Sequence, residues 1–159
     1  MTPVAEFNIF VDPLAAQLVF DSNINIYMLP LDVTNNAIIT NDQMDAIKNL
    51  QTPFATTIHN LLVYLLDSVR IMYGTSETPL HDPCAAFYVV NPKAFECKLM
   101  RVDVETNKSS ICYGQTVCDF YGKVIDKKAN VHVCLKMNYA AFWSSLRDSF
   151  IRASHISAV

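Results

Sequence analysis

The sequence predicts an α/β fold, and three features carry that reading. Two Asp-Pro pairs, Asp12-Pro13 and Asp82-Pro83, each stand in front of an apolar stretch suited to a helix. Residues 24–31 form a continuous apolar run between polar neighbours, as in a buried strand. Met100-Arg101-Val102-Asp103-Val104-Glu105 alternates apolar with charged, the period of a strand with one buried face.

Taken in order, Asp12 caps a helix that opens at Pro13 and runs through Leu14, Leu18 and Val19 to about Ser22. The buried strand 24–31 follows. Thr40 caps a short helix through Met44 and Ile47. A longer helix spans 54–73, with Ile58, Leu61, Leu62, Leu65, Leu66 and Val69 at helical spacing, and Gly74 ends it. After a polar loop, Asp82 and Pro83 open an apolar helix over 84–90. The alternation at 100–105 puts Met100, Val102 and Val104 inward and the charges outward. Residues 111–120 and 130–137 supply two more strands, and 139–151 a closing helix. Helices outnumber parallel-type strands, although an open parallel sheet needs several strands to cover. The chain therefore reads as part of a larger domain. Exposed sheet edge and apolar helix faces, with marginal stability, are the expected consequence.

Composition narrows the function. Of 159 residues, 52% are apolar and 17% charged, a balance that folds rather than stays disordered. The net charge is −3 and the only basic cluster is Lys127-Lys128, so nucleic acid is not an expected partner. The five cysteines are odd in number and show no CxxC spacing. They read as reduced, buried thiols rather than a zinc site or a disulfide scaffold. No run approaches the roughly 18 apolar residues of a membrane span, and Asp67 and Arg70 interrupt the most apolar helix. No membrane association and a cytoplasmic location are expected.

Two segments hold the residues best suited to chemistry. Glu6 and Asn8 lie two apart, so an extended backbone points both side chains the same way. A carboxylate beside an amide can grip vicinal hydroxyls, one accepting and the other donating as well. On spacing alone they read first as loop residues before the Asp12 cap. In Pro79-Leu80-His81-Asp82-Pro83, Asp82 reads first as a helix N-cap. Its carboxylate is also the hard oxygen ligand that Ca²⁺ or Mg²⁺ takes. His81 beside it can protonate a leaving group near neutral pH. Asp32, after the buried strand, reads as a turn residue or as one facing a site at the strand's C-terminal end. His59 reads as a partly buried helical residue, His132 as a strand residue and His155 as part of a frayed tail. Lys123, Asp126, Lys127 and Lys128 read as a solvated hairpin loop. Tyr64 and Tyr73 can stack on a base, but their helical spacing favours core packing.

The ordered set of segments resembles the inosine–uridine nucleoside hydrolase family. Thr2-Pro3-Val4-Ala5-Glu6-Phe7-Asn8-Ile9 is similar to its ribose-binding segment. Leu31-Asp32-Val33-Thr34, Pro79-Leu80-His81-Asp82-Pro83, Arg101-Val102-Asp103-Val104-Glu105, Gly114-Gln115-Thr116-Val117, Asn130-Val131-His132-Val133 and Phe142-Trp143 follow in the family's order. The resemblance covers about residues 2–150. It implies a partial Rossmann-like nucleoside hydrolase fold with a mixed sheet, N-terminal half missing. The chain would be one partial domain over 1–159, with 151–159 a tail.

The resemblance also implies an activity: hydrolysis of the N-glycosidic bond of ribonucleosides to ribose and free base, a step of base salvage. Glu6 and Asn8 would hold ribose hydroxyls. His81 would be the acid that assists the departing base, mainly a purine, and Asp82 a ligand of a catalytic Ca²⁺. The family's homo-oligomers set the same option for this protein. The departures matter too. The aspartate-rich motif that supplies most Ca²⁺ ligands and the water-activating carboxylate is not found. Asn35-Asn36 stands where His-Gln is common, and Met1 where an Asn is expected. The isolated chain is therefore expected to be inactive. The alternative is a non-catalytic truncated domain or a partner-dependent fragment.

Overall fold

The structure, a computed structural model, describes residues 2–156, with side chains given through Ser154. The order of elements is α1 (Phe7–Val11), α2 (Pro13–Phe20), β1 (Tyr27–Met28), α3 (Leu31–Thr34), α4 (Asn41–Lys48), α5 (Pro53–Tyr73) and α6 (His81–Val90). A 3₁₀ turn (Pro92–Ala94), β2 (Phe95–Val104), β3 (Thr116–Asp119), β4 (Val131–Met137) and α7 (Tyr139–Ile156) follow. The fold is α/β. Its sheet has the order β1-β4-β2-β3 and is mixed: β1 pairs with β4 in parallel, β2 with β3 antiparallel. Residues cluster in two compact units, Met1–Leu31 with Glu96–Leu135 and Asp32–Phe95 with Lys136–Val159.

The first unit has a core formed by Phe20 of α2, Met100, Val102 and Val104 of β2, and Val131 and Val133 of β4. The alternation in 100–105 predicts the inward face correctly. The outward face differs from expectation, because Arg101 is only 8% exposed. Its guanidinium donates from Nε to Asp103 Oδ1 at 3.1 Å and from Nη2 to Asp21 Oδ1 at 2.8 Å, with a second, shorter contact to Asp103. Burying a cation is tolerable only when it is paired in this way. Lys127 also reaches Asp103, at 3.1 Å, so one lysine of the expected solvated loop is engaged. Asn130 joins the elements: Oδ1 accepts from Val102 N at 2.8 Å, while Nδ2 donates to Phe20 O and Val102 O.

The Arg101 bonds hold the Asp103 carboxyl below the usual carboxylate range. Gln17, then Arg101, does the same for Asp21. A depressed folded value means that the stabilisation is complete above the ordinary carboxylate pKa of about 4. It is lost as pH falls through the lower folded value. Asp103→Asn is expected to cost about 1–3 kcal/mol at pH 7 and much less at pH 2. Chemical denaturation at the two pH values checks this, and an equal cost at both would contradict it.

Several expected boundaries move. Only Tyr27 and Met28 of 24–31 join the sheet. Ile24 stays exposed after a positive φ at Asn23, and Pro30 has no N–H to give a ladder. The chain then turns at once into α3, an element the apolar run concealed. In the expected strand 111–120, residues up to Gln115 form turns instead. Ser110 N bonds Asn107 O, Cys112 N bonds the Ser110 hydroxyl, and Gly114 has φ +84°. These local bonds compete with a sheet ladder. At the C-terminus α7 continues to Ile156, so the expected tail is helical through that residue. Residues 157–159 and the His155 side chain lie outside those described.

In the second unit, Thr40 and Gln43 cap α4 reciprocally, with bonds of 3.3 and 2.8 Å. Thr52 caps α5, and Gly74, at φ +68°, ends it in the left-handed region that favours glycine. Helix α5 packs on α4 and α7, with Ala55 buried and Ile58, Leu62, Leu66 and Val69 half-buried. Leu61 and Leu65 of the predicted stripe face outward. So do Tyr64 and Tyr73, which are 74% and 55% exposed, against the expectation of core packing. A 21-residue helix offers more apolar surface than two neighbouring helices cover. Phe87 of α6 meets Phe142 of α7 with ring centroids 5.6 Å apart. Among the described residues no helix is long and apolar enough to cross a membrane.

Candidate functional site

Glu6 and Asn8 belong to the first unit, at the N-terminus of α1. The Glu6 backbone is extended, with φ −67° and ψ 149°, but Asn8 is already helical, which corrects the expected extended pair. The reason is capping: Glu6 Oε2 accepts from Asn8 N at 2.8 Å and Ile9 N at 3.2 Å. Oε1 and the exposed Asn8 amide make no hydrogen bond with other described residues. One carboxylate oxygen and one amide therefore stay available to hydroxyl groups.

The segment is held from behind. Ala5 N donates to Thr2 Oγ1 at 2.8 Å. A Cβ on Gly114 would lie 3.1 Å from both Ala5 Cβ and Phe10 Cα, and φ +84° adds strain for any other residue. Gly114→Ala is expected to cost about 1–3 kcal/mol by pushing α1 outward. A thermal melt unchanged from the parent would contradict this.

His81 and Asp82 belong to the second unit and open α6. The helix starts at His81, with Leu80 at the N-cap and no side-chain cap bond. Asp82 is therefore not the cap it was expected to be. It stands one residue inside the helix, where its carboxylate faces the positive end of the helix dipole. Both side chains are exposed, and Asp82 makes no hydrogen bond with other described residues. His81 is anchored through one nitrogen: Nδ1 lies 2.8 Å from Thr34 Oγ1. Thr34 is buried in α3, whose Val33 carbonyl accepts from Tyr139 OH at 2.8 Å. The loop before α6 is tied to the same region by Leu80 N to Ala37 O and Ile39 N to Thr78 O. An imidazole fixed at Nδ1 presents Nε2 outward in a defined direction, the arrangement a proton donor needs.

Thr34 is the residue that sequence reasoning missed. Its segment belongs to the ordered motifs, but 47 positions separate it from His81 and no spacing rule links them. Asp32 sits exposed in the first turn of α3. His132 is stacked on Tyr27, centroids 4.5 Å apart, so it serves the β1–β4 pair. His59 is half-buried in α5, as expected, beside a cleft lined also by Asp45, Asp67 and Arg70. No three His, Cys, Asp or Glu side chains among the described residues converge as a metal site. Asp82 has the donor chemistry of a Ca²⁺ ligand. One carboxylate does not fit an ion that takes about 6–8 oxygens, so the described residues alone do not hold it.

Residues 1–144 match the inosine-uridine preferring nucleoside hydrolase family. The chain belongs to that family. A probable ribonucleoside hydrolase of Dictyostelium discoideum is 39% identical to this chain over 149 residues, covering 90% of it and 43% of the relative. A pyrimidine-specific ribonucleoside hydrolase of Escherichia coli is 35% identical over 147 residues, covering 92% and 46%. The fold superposes on a purine-preferring ribonucleoside hydrolase from Gardnerella vaginalis with a TM-score of 0.84 at 21% identity, covering 96% of this chain and 48% of that one. A plant nucleoside hydrolase gives 0.84 at 22% identity, covering 94% and 48%. The chain thus spans about half the length of the nucleoside hydrolases it matches.

Proposed function

We propose that this chain supplies the leaving-group acid and part of the ribose grip of a ribonucleoside N-glycosidic hydrolase. The observation that carries the proposal is His81, exposed at the start of α6 and fixed through Nδ1 by buried Thr34. Cleavage of the bond between C1′ and the base leaves positive charge on the sugar and negative charge on the base. His81 Nε2 gives its proton to the departing base. Glu6 and Asn8 take ribose hydroxyls, and the Glu6 carboxylate also favours the positive sugar. The oxygen that joins C1′ comes from water, and none of the residues assigned here activates it.

Asp82 is proposed as one ligand of a Ca²⁺ whose other ligands lie outside this set. When bound, the ion would position water and ribose hydroxyls. Release of base and ribose places the activity in nucleoside salvage, with the cytoplasm as the proposed location.

The test is a fusion of this chain to the portion of the Dictyostelium relative outside the matched region. Release of ribose from inosine or uridine in the presence of Ca²⁺ is expected. A folded fusion that releases none would overturn the proposal. A second reading, a partner-dependent domain with no activity of its own, draws on exposed apolar side chains. Leu14 and Leu18 of α2, Ile71 of α5 and Val89 of α6 all lie open.

A further inference from the structure

The cysteines outside the site include one matched pair. β4 and β2 are neighbours in the sheet. Asn130 N donates to Met100 O at 3.1 Å and Asn138 N to Ala94 O at 2.8 Å. Numbers rise along β4 as they fall along β2, so the two strands run antiparallel. The two bonds bracket Cys134 on β4 and Cys97 on β2, and the two thiols lie in hydrogen-bonding contact across the strands. Opposed residues on antiparallel strands have Cα atoms about 4.5–5.5 Å apart. A disulfide spans about 4.4–6.8 Å.

The environments of the two thiols differ in a useful way. Cys134 is fully buried and Cys97 half-buried, and both are reduced. Burial pushes the Cys134 thiol up, and the Cys97 thiol in hydrogen-bonding contact with it adds to the effect. The other three have separate surroundings. Cys84 donates to Leu80 O within α6, Cys112 lies in the turn before β3, and Cys118 is exposed on β3.

We propose that Cys97 and Cys134 are a redox-sensitive dithiol that peroxide converts into a disulfide joining β2 to β4. Cys97, the reachable thiol, attacks hydrogen peroxide as its thiolate. The O–O bond breaks, an S–O bond forms, and hydroxide leaves. The Cys134 sulfur then displaces the oxygen from Cys97 sulfenic acid, and the Cys134 proton leaves with it as water. The sum is two thiols and one peroxide giving one disulfide and two waters.

The test treats the full chain with hydrogen peroxide and maps its cysteines by non-reducing peptide mass spectrometry. A cross-linked peptide containing Cys97 and Cys134 is expected, lighter by two hydrogens and reversed by dithiothreitol. Two of the five thiols should become unreactive together. Cys97→Ser should abolish the cross-link, and Cys134→Ala should leave Cys97 to progress to sulfinic acid. The wild-type map needs neither variant to fold. Five retained thiols, or a cross-link that joins any other pair, would overturn the proposal.

Discussion

His81→Ala in the active fusion is expected to lower kcat for inosine by about 10²–10⁴-fold, the usual contribution of a positioned acid. A riboside whose leaving group needs no proton, such as 4-nitrophenyl riboside, should lose less than about tenfold. Physically, only a poor leaving group depends on a proton in the transition state. Thr34→Val probes the same device from behind, because it removes the oxygen 2.8 Å from Nδ1 and keeps the side chain's bulk. A fall in kcat for inosine with little change in KM is expected, with Thr34→Ser restoring it. That pattern separates a positioning residue from one that only supports α3. Equal losses on both ribosides for His81→Ala would remove His81 from the acid role.

The chain assayed by itself, with Ca²⁺ present, is expected to release no ribose from inosine or uridine above the uncatalysed rate. One carboxylate at Asp82 leaves a Ca²⁺ ion with most of its ligand sites unfilled by protein. Glu6 is committed in part to capping α1, and no carboxylate assigned here faces a water held against C1′. Robust turnover by the pure chain would show that its own residues activate water, and the ligand argument would fall. Calorimetric titration gives a second reading of the same point. Weak or absent Ca²⁺ binding by the chain and clear binding by the fusion is the expected contrast.

How far the site was legible depends on which interactions are local. The resemblance rests on short ordered segments, and those segments hold Glu6, Asn8, His81 and Asp82. What those side chains do at close range was harder to read. Spacing makes Glu6 half of an extended pair, yet it caps a helix, because the five residues between Glu6 and Asp12 have enough local bonds to coil. Asp82 carries a cap signature, yet the helix begins one residue earlier and leaves the carboxylate free. Thr34 escaped notice because its partner is distant in sequence. Arg101 sits in a pattern that predicts solvent, and its burial depends on Asp103, two residues along the same strand, and on Asp21, which only the fold brings to it.

By itself the sequence determined the family, the α/β class, the inward face of β2 and the helices opened by Pro13 and Thr40. Each of these follows from periodicity, capping or ordered motifs, which act over a few residues. Only the tertiary structure decided that Thr34 holds His81, that Asp21 reaches the buried Arg101, and that Cys97 meets Cys134. These contacts join residues dozens of positions apart. Chain closure across such distances is set by how whole elements pack, not by any local preference of the residues that meet.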